Sequence, residues 1–481
     1  MKKLAIKLLL LFCGLLFLPG NLLAQFTVSG EFRPRLEYRD GYAKLRDSSM
    51  TAYPVILGRN RLIFDYKNEQ FMAKFSLQHA YVFGENNYGS DTITRNTVNI
   101  FEGWFKYNFT KVFAVKIGRM ELVYDDARLF GNSNWSPKGA THDVALLQWE
   151  AARAGYRGDF GFAINNTAPA SNFLSSYLLK NYKYMGYVYE QKKFFKEKFV
   201  VSLLGIMDVF QKPSKVTQVK TTHNETLYVI NSNHDTIGTT TVTTTSTGSV
   251  TTTYPGQLYA RLTAGGTAAF TWKNLKVFAS GYYQGGHFSD GKTINAGFFS
   301  GFASYRVVKP LTLLAGCEFL SGNDYSNTTA LKTKSTSFST LYGTSHGFYG
   351  YMDMFSTHVT SGSSAGLTDL YARATLMINE KISLEATWRM MGLAKGYLQV
   401  TPKKAGDLPY EAVNKKLGSE ADMMFVYKPF TNFEVNAAYC FFMPTSTMEK
   451  LNSLKQGTSK WAQYAYIMLT YKPSFFNSDK H

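Results

Sequence analysis

The chain has 481 residues, a formal charge of +18 and 16% aromatic residues, with 32 Tyr and 37 Phe but only 13 Pro and 3 Cys. Beyond the N-terminus no stretch approaches the roughly eighteen unbroken apolar residues of a spanning helix, which excludes a helical membrane protein. Cys13 lies in the N-terminal apolar run, so Cys317 and Cys440 build no disulfide framework. Lys and Arg are dispersed rather than blocked, which excludes a nucleic-acid-binding tail.

Residues 1–24 open with Lys2, Lys3 and Lys7 and continue through LLLLFCGLLFLPGNLLA, the pattern of a secretory signal peptide. Phe12 stands where lipoprotein processing needs a small residue before Cys13, so lipidation is not expected. The mature chain should start near Gln25, with a charge of +15 once the three lysines are gone. Tyr- and Gly-rich alternation in an exported chain predicts an all-β fold over residues 25–481. The expected form is a transmembrane antiparallel up-and-down β-barrel in the outer membrane of a Gram-negative-type bacterium, with outer-membrane lipid as its surroundings.

The first mature segment, FTVSGEFRPRLEYRD (26–40), alternates Phe26, Val28, Gly30, Phe32, Pro34, Leu36 and Tyr38 with polar or charged residues. Period two means an extended strand with one apolar and one charged face. Similar segments follow near 57–66, 70–82, 98–109, 112–120, 142–156, 160–167, 181–191, 199–210, 257–271, 275–286, 294–307, 311–321, 367–378, 381–393, 417–427, 432–442 and 460–472. About eighteen strands of about ten residues are expected, each long enough to cross a bilayer when tilted.

Connections alternate in length. Tight ones fall at KNEQ (67–70), Thr110-Lys111, Arg157-Gly158-Asp159, KKFFKEK (192–198), Trp272-Lys273-Asn274, Val308-Lys309-Pro310, Asn379-Glu380 and KPFT (428–431). Longer ones fall near 39–56, 83–97, 121–141, 168–180, 211–256, 287–293, 322–366, 394–416 and 443–459. Short periplasmic turns and long outer loops produce this pattern, and a soluble sandwich does not. The Thr-rich, nearly uncharged stretch within 211–256 predicts a long outer hairpin or loop.

If the apolar face meets lipid, the charges face inward. That assigns Glu31, Arg33, Arg35, Glu37, Arg59, Arg61, Lys74, Glu102, Lys106, Arg261, Arg373 and Arg389 to the interior, with Glu318, Glu385, Glu420, Asp422 and Glu434. Phe101, Phe105 and Tyr107 go to the lipid side. The opposite register would cost roughly 2–4 kcal/mol for each Lys or Arg at the bilayer midplane. An eighteen-strand barrel is wide enough for an aqueous channel unless a loop fills it. Basic rings favour anions, and the Arg fork suits carboxylates, so the basic set predicts a conduit for an acidic solute. The alternative for each arginine is pairing with an interior carboxylate to brace the wall.

Residues 117–135, IGRMELVYDDARLFGNSNW, resemble the alginate-export family of outer-membrane porins. Gly118, Arg119, Tyr124, Asp126, Arg128, Gly131 and Trp135 fall on its pattern, as does Asp143 at the next strand. A second block, FLSGNDYSN (319–327) with LYGTSHGFYGYMDMF (341–355), resembles a long later loop of that family through His346, Gly350 and Asp353. The closing strands SEADMMFVYKP and WAQYAYIMLTYKP are similar too. The resemblance implies eighteen strands, an electropositive constriction passing an anionic polyuronate, and periplasmic export partners. Met120, Asp125 and the 211–256 insertion depart from the pattern.

None of the eight His sits in a hydrolase or metal motif, so neither catalysis nor cofactor nor metal is expected. The competing function is a structural or adhesive barrel without conductance; an outer-membrane hydrolase has less support.

Overall fold

A computed structural model describes residues 24–47, 49–84, 98–165, 182–212, 215–230, 236–252, 257–399 and 408–478. The expected signal peptide, apart from Ala24, and most of the expected loops 83–97 and 168–180 lie outside these residues. One antiparallel sheet closes on itself as an eighteen-strand barrel. Its first strand, β1, runs Gln25–Phe32 and, past Arg33-Pro34, Arg35–Asp40. The next eight are β2 (Tyr53–Lys67), β3 (Phe71–Val82), β4 (Asn99–Asn108), β5 (Phe113–Met120), β6 (His142–Ala151), β7 (Tyr156–Ile164), β8 (Tyr184–Phe194) and β9 (Phe199–Gln211). The last nine are β10 (Leu258–Trp272), β11 (Leu275–His287), β12 (Thr293–Val308), β13 (Leu311–Leu320), β14 (Leu367–Met377), β15 (Ile382–Gly392), β16 (Lys416–Phe430), β17 (Phe433–Pro444) and β18 (Ala462–Tyr471).

Closure is made by β1 against β18, from Arg35↔Met468 to Asp40↔Gln463, with Ser474–Asn477 added along Thr27–Ser29. Every strand thereby has two neighbours, which removes the exposed edge that a bilayer cannot hydrate. Pro34 lacks a donor, and its carbonyl accepts from Leu469 N–H at 3.0 Å, so the break in β1 stays paired to β18. The Thr-rich segment forms a separate hairpin, Lys215–Ile230 with Thr236–Thr252, in register from Lys215↔Thr252.

The two wall faces differ as the period-two pattern predicts. Leu203 is 62% exposed and Leu370 53% on the outside, while Arg59 is 1% and Glu420 0% exposed on the inside. Phe109, Phe195, Trp272, Tyr305 and Phe430 are exposed beside the short turns, where an interfacial aromatic girdle belongs.

Two local expectations fail. Phe101 is buried rather than lipid-facing, because the register slips between Ser76 and Leu77 and a bulge turns Phe101 inward beside Glu102. The Arg61 guanidinium then lies 3.6 Å from the Phe101 ring centre. The sixth and seventh strands are joined at Ala152–Ala154, closed by Gly155 at φ 62°, not at Arg157-Gly158-Asp159. Those three residues belong to β7. A side chain at Gly158 would meet the Trp149 ring at 2.2 Å, so the glycine seats a cross-strand aromatic instead of making a turn.

Leu203→Arg tests the outer face. In phospholipid vesicles it should lower folding stability by roughly 2–4 kcal/mol, read from the urea dependence of refolding. An unchanged midpoint would place Leu203 away from hydrocarbon.

Candidate functional site: the loop-filled interior

Two long connections fold into the barrel rather than out from it. In residues 121–141, Leu122, Tyr124, Leu129 and Phe130 are buried, and in residues 321–366 so are Phe338, Tyr349, Met352 and Phe355. The two are joined backbone to backbone. Tyr342 N–H donates to Leu129 O at 3.1 Å, Gly131 N–H to Tyr342 O at 3.1 Å, and Thr344 N–H to Ala127 O at 3.0 Å.

The arginines of β1 and β2 hold the first connection in place. Arg33 donates to the carbonyls of Asn134 (2.6 Å), Trp135 (3.3 Å) and Ser136 (3.2 Å). Arg35 donates to Trp135 O at 2.7 Å, and Arg59 to the Asn134 side chain at 2.6 Å. Trp135 is clamped between the Arg35 guanidinium, 3.7 Å from its ring centre, and His346, stacked at 3.9 Å and 3°. His346 Nδ1 meets Asp353 Oδ2 at 2.9 Å, and Tyr42 donates to the same carboxylate oxygen. Residues far apart in the chain thus converge: β1 and both inward connections meet on one indole.

The remaining interior charges are mostly paired. Arg59 Nε reaches Glu31 at 2.6 Å, Arg35 reaches Glu37 at 2.6 Å, and Lys74 reaches Glu102 at 2.8 Å. Arg261 takes Asp208 bidentately, at 3.0 and 2.5 Å. Arg373 lies 3.1 Å from Glu385, and Arg389 pairs with Asp369 and lies 3.9 Å from Asp422. Glu434 lies 3.1 Å from Lys428 near a short turn. Glu420 accepts from Met352 N–H at 2.9 Å, anchoring the second connection to β16. For Arg35, Arg59, Arg261, Arg373 and Arg389 the structure shows the pairing with interior carboxylates that stood as the alternative to a solute role. Most inward arginines brace the wall, because an unpaired buried charge costs more than any single pair returns.

Arg128 reaches Glu318 at 2.7 Å across the interior and lies 3.7 Å over the Phe348 ring. Burial works against its charge, but Glu318, Tyr349 and Asp126 more than offset this and raise its pKa above the ordinary arginine value. Asp126 stands 3.7 Å from the same guanidinium. Tyr124 is bonded to Asp159 at 2.9 Å and Tyr187 at 3.0 Å. Arg119 lies at the end of β5 and Asp143 at the start of β6, the strand positions expected for them. They form a bidentate pair, both bonds 2.8 Å, on the outer face of β5 and β6. The even-numbered positions of β5, from Ala114 through Lys116 to Met120, face inward, which leaves Arg119 pointing out.

Several partners escaped the sequence pattern. Asp208, Asp159, Gln78 (2.8 Å from Arg61) and Tyr42 are invisible until strand register is known. Asp369 had a signal, since Asp369, Tyr371 and Arg373 alternate with Leu370 and Ala372.

The alginate-export family model matches residues 24–204. That stretch contains β1 to β8 and the whole inward connection 121–141. No curated protein sequence matches the chain. Among solved structures, the outer membrane protein OpdK of Pseudomonas aeruginosa aligns with a TM-score of 0.54 at 9% identity, covering 94% of this chain and 99% of OpdK. OccK9 (OpdG) of the same organism gives 0.55 at 11%, covering 94% and 98%. OccK2 (OpdF) in complex with glucuronate gives 0.51 at 11%, covering 94% and 97%. At these identities the likeness is one of fold. With the family match it supports an outer-membrane channel.

Two measurements test the interior. Arg128→Met should destabilise the barrel by roughly 3–5 kcal/mol by stranding Glu318, and adding Glu318→Leu should restore most of that loss in urea unfolding. His358, in the short helix Ser356–Thr360, is half-buried, and its desolvation depresses its pKa below the ordinary 6.5. Its Nε2 lies 3.1 Å from the Gly366 carbonyl. The undocked segment therefore binds a proton that the docked one refuses, and docking weakens as pH falls through about 6.5. Hydrogen exchange of 356–366 should accelerate below that pH, and His358→Gln should flatten the dependence.

Proposed function

We propose that the protein is an outer-membrane channel with a preference for anions, carrying an acidic polysaccharide or oligosaccharide. One observation carries this reading. On the inner face from β1 to β5, Arg33, Arg35, Arg39, Arg59, Arg61, Lys74, Lys106 and Lys116 outnumber Glu31, Glu37, Asp65 and Glu102. Among the described residues, Arg61, Lys106 and Lys116 have no carboxylate within ion-pair distance, and Arg33 spends its donors on loop carbonyls. Such an excess beside a constricting loop raises local anion concentration and opposes cations. The alginate-export match and the glucuronate complex of OccK2 lend support from acidic sugars. Fold and family favour transport over catalysis. In this reading outer-membrane lipid surrounds the wall, and periplasmic partners deliver or receive the solute.

A structural or surface-adhesive barrel is the second reading, favoured by the filled interior and by the long Thr-rich hairpin. Planar-bilayer recording separates them, since a sealed barrel gives no unitary conductance. For a channel, the reversal potential in a salt gradient should report anion preference. Substituting Arg61, Lys106 and Lys116 together by Gln should lower the anion-to-cation permeability ratio at least about twofold. An unchanged ratio would remove the β1–β5 wall from the selectivity argument.

A further inference from the structure

The long connections also enclose two adjoining cavities at the outer mouth. The first, about 800 Å³, is bounded by β1 and by the connections 121–141, 321–366 and 445–461. Its cations are already committed: Arg35 and Arg39 to Glu37, and Lys450 to Glu411. The rest of its wall is rich in side-chain hydroxyls, Ser133, Ser345, Ser356 and Thr357 among them. The second cavity, about 630 Å³, lies under the connection 288–292 and beside Lys332 and Lys334. Those two lysines are exposed, and among the described residues no carboxylate lies within ion-pair distance of either. Tyr325, Ser361, Ser363 and Gln399 line both chambers. Tyr325 is oriented by its hydroxyl, which donates to the Ser363 carbonyl, and this holds a half-buried ring at the junction.

We infer that these chambers form an extracellular capture site for a short acidic oligosaccharide. An acid group of the ligand meets Lys332 and Lys334, one sugar ring packs on Tyr325, and further hydroxylated units fill the larger chamber. The chemistry of each part leads there. Two unpaired ammonium groups on one wall attract anions, hydroxyl and amide groups exchange hydrogen bonds with sugar hydroxyls, and an aromatic face covers the apolar face of a pyranose. A small inorganic anion would use the lysines alone and leave the larger chamber idle. The site deepens the channel reading on which it rests: an acidic chain held at the mouth is presented to the cation-rich β1–β5 wall.

The test uses the full barrel in detergent, with a glucuronate tetrasaccharide as probe and a glucose tetrasaccharide as neutral control. Calorimetry should detect binding of the acidic probe, at least roughly tenfold tighter than the neutral one. Lys332→Gln with Lys334→Gln should weaken it about tenfold and leave the anion-to-cation permeability ratio of the pore unchanged. Tyr325→Ala should also weaken binding, whereas Tyr325→Phe should retain more of it. Heat-modifiable migration on gels confirms that each variant is folded. No binding to the wild type, or equal binding by the double lysine variant, overturns the site even if the pore conducts anions. Binding lost in that variant, in a barrel that proves non-conducting, sinks the channel reading and keeps the site.

Discussion

Hydrocarbon offers no partner to a peptide N–H or C=O, and that single constraint organises the molecule. An open sheet in a bilayer would leave an unpaired edge costing several kcal/mol for each stranded group. The chain meets the constraint by bringing β18 back to β1, across a sequence separation of more than 400 residues, and by laying Ser474–Asn477 along the start of β1. Once the sheet is closed, side chains have only two directions. Alternation then divides Phe32, Leu36 and Leu62 from Glu31, Arg35 and Arg59, and the inward group must find partners within the barrel.

How those partners are found explains why two connections fold inward. A buried guanidinium has five donors, and one carboxylate cannot satisfy them all. Arg59 gives Nε to Glu31 and a terminal nitrogen to Asn134, while Arg35 divides itself between Glu37 and the Trp135 carbonyl. The connection 121–141 thus supplies acceptors that the wall lacks, and in return its own backbone carbonyls are capped inside the lumen. Among the described residues Arg33 has no carboxylate within ion-pair distance, and its guanidinium donates to the loop carbonyls. The same exchange recurs on the other side, where Arg389 donates to the Gly347 carbonyl at 3.1 Å and Glu420 accepts from Met352 N–H. Gly350 is required there, because a Cβ would fall 2.1 Å from the Glu420 carboxylate.

Strand number, face and loop alternation were legible because each is written in period two, which needs only neighbours in sequence. Bounds agree closely: the expected strand at 199–210 is Phe199–Gln211, and that at 311–321 is Leu311–Leu320. The misses share a cause. Phe101 faces inward because of a bulge against β3, and the turn before β7 sits at Gly155 because Gly158 is reserved for the Trp149 ring, so both depend on a neighbouring strand. Loop docking is harder still to read. Nothing local in GNSNW says that its carbonyls will meet Arg33 and Arg59, which lie 101 and 75 residues away from Asn134. The sequence resemblance had singled out Trp135, His346 and Asp353, but no local pattern shows that Trp135 stacks on His346 and that His346 meets Asp353.

Pairing also changes where recognition can occur. An arginine beside its carboxylate presents a dipole, whose field fades faster with distance than that of a lone charge, and screening in a wet lumen shortens its reach further. The braced pairs Arg261–Asp208, Arg389–Asp369 and Arg128–Glu318 therefore contribute rigidity more than selectivity. In the proposed anion channel, an ion would feel mainly the groups left over, such as Arg61 and Lys116, whose own neighbours are an amide and an indole face. Division of labour follows from electrostatics alone. The neutralised part of the wall fixes the two inward connections, and the uncompensated part, Arg61 and Lys116 among it, is left without a carboxylate within ion-pair distance among the described residues, so that its charge acts at short range.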